Sequence, residues 1–134
     1  MTLIFLFLVV LTAEPLDVKE AHQTYKELCG PSGRFTYGVE ASYERTGVSI
    51  SALFWGDVDR KGHKPGERCA VQWTLAMFGQ AVAEDLYARM QALKWTTGEV
   101  WLYRRGFLFR LKRDEKMAPG VGSWYLGVYG YGGP

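Results

Sequence analysis

The sequence predicts an α+β domain. It consists of an antiparallel sheet of about five strands, in the element order α-ββ-α-ββ-β, with one long helix packed across one face. Three stretches carry that expectation. Between residues 69 and 93 apolar side chains recur at Val71, Leu75, Phe78, Val82, Leu86, Met90 and Leu93, steps of three and four that draw one stripe along a helix. Residues 99–112 then pair into a hairpin with two chemically distinct faces. Near the C-terminus, SWYLGVYGY at residues 123–131 alternates Trp124, Leu126 and Val128 against Tyr125, Gly127 and Tyr129, the period of a strand.

At 134 residues the chain suits one domain with its own core, expected over residues 14–134. The run LIFLFLVVL at residues 3–11 is too short to span a bilayer, which takes about 20 residues, so no stable membrane span is expected. Its length suits the apolar part of a secretory signal, with Thr12-Ala13 as a weak cleavage site, although no Lys or Arg precedes it. Residues 1–13 are therefore expected to be a signal peptide or apolar leader of a secreted or periplasmic protein. The same run is rich in Ile, Val and Phe. It also reads as a buried first strand, which would make the protein cytoplasmic, or as an uncleaved anchor. In an exported chain the two cysteines, Cys29 and Cys69, suggest a disulfide; two unrelated buried thiols are the alternative.

Pro15-Leu16-Asp17 opens the first helix, with Asp17 as N-cap, Glu20 at capping-box spacing, and a buried stripe of Leu16, Ala21, Tyr25 and Leu28. Gly30-Pro31-Ser32-Gly33 breaks the chain. The next two strands are expected to turn at Thr46-Gly47. Tyr43 would then face Ile50, Ala41 face Ala52 and Val39 face Phe54 on an apolar side, with Glu40 facing Leu53 and Gly38 facing Trp55 on the other. Residues 56–68 form a polar loop. The long helix follows, with its front half buried nearly all round by Trp73 and Met77 beside the stripe. Gly79 in its middle costs about 1 kcal/mol of propensity and suggests close approach of another backbone. Thr96-Thr97-Gly98 stops it. A two-residue turn at Arg105-Gly106 sets the central hairpin: Leu102 faces Phe109 and Val100 faces Leu111 on one side. Tyr103 faces Leu108, Trp101 faces Arg110 and Glu99 faces Lys112 on the other.

The second face of this sheet is the most informative feature. With the aliphatic side under the helix, the other side carries Leu53, Trp55, Trp101, Tyr103, Leu108, Tyr125 and Tyr129, with Arg110 and Lys112 among them. Tyr and Trp bordered by Arg are what protein interfaces favour. This face is expected to bind a protein partner or a second copy of the chain, unless the first helix, a dimer mate or the leader covers it. The expected function is a small exported binding domain of inhibitor, immunity or assembly-factor type.

Two other functions have local support in the sequence. A net charge of +2 does not by itself argue for a polyanionic partner. Arg105-Gly106-Phe107-Leu108-Phe109 matches part of an RNA-binding strand motif, but Leu108 and Lys112 depart from it and the register points Phe107 and Phe109 inward. Single-stranded nucleic acid is the alternative ligand, through stacking on Trp101 and Tyr103. Cys69 at a helix N-terminus, with His63 as base, would make a thiol enzyme, yet no signature of one surrounds it. Asp57, Asp59 and Gly62 fit a calcium loop, whereas Lys61 and Arg68 stand where ligands belong. His22 is expected to be solvated. No zinc, phosphate or dinucleotide motif is present, and no cofactor is expected.

Overall fold

The computed structural model describes residues 15–30, 33–41, 46–55, 66–94, 98–113 and 123–132. The leader, the polar loop with His63 and the calcium-like spacing, and the connections at residues 42–45 and 114–122 lie outside these. In chain order the elements are α1 (Val18–Cys29), β1 (Gly33–Ala41), β2 (Thr46–Phe54), α2 (Gly66–Phe78), α3 (Gln80–Leu93), β3 (Glu99–Arg104), β4 (Phe107–Arg113) and β5 (Trp124–Tyr131). The five strands form one antiparallel sheet in the order β1-β2-β5-β4-β3, so the last strand sits between the two hairpins. The α+β class and the antiparallel sheet are as the sequence predicts.

The central hairpin adopts the expected register throughout, from Glu99 opposite Lys112 to Tyr103 opposite Leu108. Its turn needs positive φ at both central residues, and Arg105 at 55° and Gly106 at 83° supply it. Arg105 is held there because its Nη1 donates to the Phe78 carbonyl at 2.6 Å, closing the C-terminal end of α2. Arg113 does the same for the end of α3, donating to the Lys94 carbonyl at 2.6 Å.

The first hairpin departs from expectation. Val39 faces Val48 instead of Phe54, a shift of six residues; Gly38 faces Ser49 instead of Trp55, and Glu40 faces Gly47 instead of Leu53. Thr46 and Gly47 belong to β2, and residues 42–45 separate the strands, so no tight turn lies at Thr46-Gly47. An even shift leaves each residue on its own side of the sheet, because side chains alternate with period two. Ile50, Ala52 and Phe54 are therefore buried as expected. Val39 is not, at 60% exposed, since β1 is the sheet's edge and reaches past the helices.

The long rod is divided at Gly79, whose φ of 93° and ψ of 171° leave the helical region. The carbonyl of Leu75 still accepts from the Gly79 N–H, and the Gly79 carbonyl accepts from Ala83, so the two helices meet without a loop. The glycine serves conformation: a Cβ there would meet only Arg105 Nη1, at an ordinary 3.6 Å. The break rotates the stripe. In α3 the buried residues are Val82, Ala83, Leu86, Met90 and Leu93, as expected, but in α2 they are Cys69, Ala70, Trp73, Thr74 and Phe78, while Leu75 is exposed and Val71 half-buried. Gly79→Ala is expected to cost about 1–3 kcal/mol, because that backbone region is almost confined to glycine. Urea unfolding checks it; an unchanged midpoint would mean the two helices readily merge.

All three described helices lie on one face: α1 over β1 and β2, α2 over β2 and β5, α3 over β4 and β3. The core contains a seam of rings. Tyr25 packs on Phe35 and Phe54, Trp73 on Phe35, Phe54 and Phe78, and Phe78 on Phe107 and Phe109. α1 begins where expected, the Asp17 carboxylate accepting from the Glu20 N–H at 3.1 Å. His22, expected in solvent, is half-buried and stacks on Phe35 with centroids 4.8 Å apart. Cys29 and Cys69 form a disulfide, their Cα atoms 5.6 Å apart, that ties the end of α1 to the first turn of α2.

Candidate functional site: the outer face of the sheet

The face turned away from the helices is a grid set by the four ladders. One row crosses the sheet as Tyr103, Leu108, Tyr129, Ser49 and Gly38; the next as Trp101, Arg110, Gly127, Ser51 and Thr36; the third as Glu99, Lys112, Tyr125, Leu53 and Arg34. The aromatic residues all fall on the β3-β4-β5 half. Trp101 is 51% exposed and Tyr103 66%, although both belong to regular strand.

Around them the groups are layered. Trp101 stacks on Tyr129 with centroids 6.2 Å apart and planes 22° from parallel. The Arg110 guanidinium lies 5.3 Å from the Trp101 ring centroid and 5.9 Å from that of Tyr125, and Lys112 Nζ lies 5.3 Å from the latter. Such cation–π contacts hold flexible cations in place while leaving them wet. Arg110 is further fixed by Glu99, whose Oε2 accepts from Nε at 2.9 Å and from Nη2 at 2.8 Å. That hydrogen bond holds the Glu99 carboxyl below its ordinary range, so the contact persists at neutral pH and is lost as acidification reaches the lowered value. The Tyr129 phenol is pushed up, first by burial and then by its hydrogen bond with Tyr125, with Arg110 acting the other way. Tyr125 Oη also lies 3.2 Å from Ser51 Oγ. Gly127 leaves the space into which both tyrosine hydroxyls converge; a Cβ there would stand 3.0 and 3.1 Å from them.

Seven of the nine residues singled out from sequence therefore share one surface: Trp101, Tyr103, Leu108, Arg110, Lys112, Tyr125 and Tyr129. Trp55 does not belong to the grid. It follows the last ladder pair, Gly33 with Phe54, and is 39% exposed at the far corner from Trp101. Leu53 lies on this face but is buried at 5% exposure. Three contributors escaped notice: Glu99 as the partner of Arg110, and Ser51 and Gly127 beneath the tyrosines. The first had a signal, since an acid directly opposite Lys112 stands diagonal to Arg110 on the same face. Of the things expected to cover this face, α1 is excluded by position: it packs against α2 on the opposite side, with Trp73 Nε1 donating to the Ala21 carbonyl at 3.0 Å. Phe107 and Phe109 are 4% and 1% exposed and point into the core, so the strand motif shared with RNA-binding sheets is not displayed. Cys69 is bonded to Cys29, so a thiolate there would exist only in the reduced protein.

Among the described residues no group of three or more His, Cys, Asp or Glu side chains is placed to hold a metal ion. No helix among them is long and apolar enough to cross a membrane. No family model, curated protein or solved structure matches the chain.

Proposed function

We propose that the protein is an exported binding domain, of inhibitor, immunity or assembly-factor type, that docks a protein partner on the outer face of β3, β4 and β5. The observation that carries this reading is the exposure of Trp101 and Tyr103 beside an arginine already oriented by Glu99 and two rings. A wide aromatic surface with one fixed guanidinium resembles the centre of an interface, where Trp, Tyr and Arg supply most of the energy. The β3-β4-β5 half of the face carries Arg110 and Lys112 against Glu99, so the partner's complementary surface is apolar with acidic margins. The disulfide supports export, since such bonds persist in oxidising compartments.

Cross-linking from a photoreactive residue at position 103 in the native host tests the proposal. A discrete protein adduct is expected, lost when Trp101→Ala is introduced. Both Trp101→Ala and Tyr103→Ala are expected to weaken binding tenfold or more while costing folding under about 1 kcal/mol, as suits exposed positions. Loss of folding without an adduct would show that these rings are structural. An adduct of twice the chain mass would identify a second copy as the partner. Single-stranded nucleic acid is less well supported, because Arg110 is neutralised by Glu99; steeply salt-dependent binding to an oligonucleotide would reverse that judgement.

A further inference from the structure

We infer that two copies of the chain associate edge to edge through β1, extending the sheet across a two-fold axis at Tyr37. β1 ends the sheet, and among the described strands only β2 pairs with it. It is nine residues long, contains neither Pro nor Lys, and exposes Tyr37 at 56% and Val39 at 60%. Long edges of this kind are usually shielded, because their free backbone groups and apolar side chains template another strand. The other edge, β3, is six residues long, with Arg104 in an ion pair to Asp85 at 3.0 Å and Glu99 in one to Arg110.

The sequence of β1 suits pairing with itself. Antiparallel pairing centred on Tyr37 is the one two-fold register that uses all nine residues. It sets residue 34, an arginine, opposite residue 40, a glutamate, and does so twice. On the helix side Phe35 stands opposite Val39, also twice, and Tyr37 meets its own copy. Phe35 already packs on the core, so the second copy's Val39 would continue that core beyond the edge. The groove between the start of α1 and β1, lined by Leu16, Val18, Tyr37, Val39 and Val48, opens at this edge and would receive the partner's Tyr37 ring. Centring on residue 36 or 38 loses the arginine–glutamate pairs.

This surface is separate from the aromatic half of the outer face, so the inference does not rest on the docking proposal. The two-fold axis runs perpendicular to the sheet. It would put both aromatic clusters on the same side of a ten-stranded sheet, seven strand spacings or roughly 33 Å apart between the two β4 strands.

Sedimentation equilibrium of the full chain tests it. A reversible monomer–dimer equilibrium is expected, with Arg34→Glu and Glu40→Arg each weakening the dimer about tenfold and the double reversal R34E/E40R restoring it. Val39→Lys, at an exposed site, should also weaken it, and Trp101→Ala should leave it unchanged. A wild-type chain that stays monomeric up to about 1 mM would overturn the inference. So would a dimer indifferent to both reversals, a double reversal that fails to restore it, or a dimer abolished by Trp101→Ala.

Discussion

Replacing Cys29 and Cys69 together by alanine is expected to lower the unfolding free energy by roughly 3–4 kcal/mol, from the entropy of the loop the bond closes. The two residues are 40 apart in sequence, so the bond removes a large set of open conformations from the unfolded chain. It also joins α1 to the helix that carries Trp73. A drop in melting temperature of roughly 10–20 °C should accompany the change. Reduction of the wild-type protein should reproduce it, and the two treatments together should not add. Urea unfolding of the oxidised, reduced and substituted proteins measures this. A difference under about 1 kcal/mol would mean that packing alone holds α1 in place.

That packing centres on Trp73, and Trp73→Ala is expected to cost about 3–5 kcal/mol. The ring is fully buried and touches Phe35, Phe54 and Phe78, which come from both hairpin strands and from the end of its own helix. Neighbours held by three different elements cannot collapse together into the space left. The indole N–H adds a second link to α1 through the Ala21 carbonyl, and Trp73→Phe isolates it. That variant keeps a ring in the site and is expected to lose about 1–2 kcal/mol. Because the disulfide, this hydrogen bond and the one from Tyr25 Oη to the Leu53 carbonyl at 2.6 Å all anchor α1, their losses should be non-additive. A Trp73→Ala variant as stable as Trp73→Phe would show that the ring seam does not organise the core.

The outer face explains why the central hairpin could be read so fully. Arg105-Gly106 admits one tight turn, and only one register puts Leu102 and Phe109 on one side with Trp101 and Arg110 on the other. Turn chemistry and side-chain chemistry agreed, and each was local. The first hairpin had a weaker turn signal, and its small residues fit several registers. There the alternation kept the faces right while the pairing moved by six, so Trp55 was drawn into the site wrongly.

By itself the sequence determined the α+β class, the strand count, the side of the sheet that each described strand residue takes and the aromatic surface. All of these follow from periodicity and near-neighbour spacing. The tertiary structure alone decided the rest. A glycine with φ of 93° divided the long helix, and the buried stripe of α2 runs through Ala70, Trp73 and Thr74 while Leu75 is exposed. Arg105 and Arg113 found helix carbonyls 27 and 19 positions away. α1 came to lie beside α2, leaving the opposite face of the sheet uncovered by any described helix. Contacts between distant segments depend on where the whole chain closes, which no local pattern encodes.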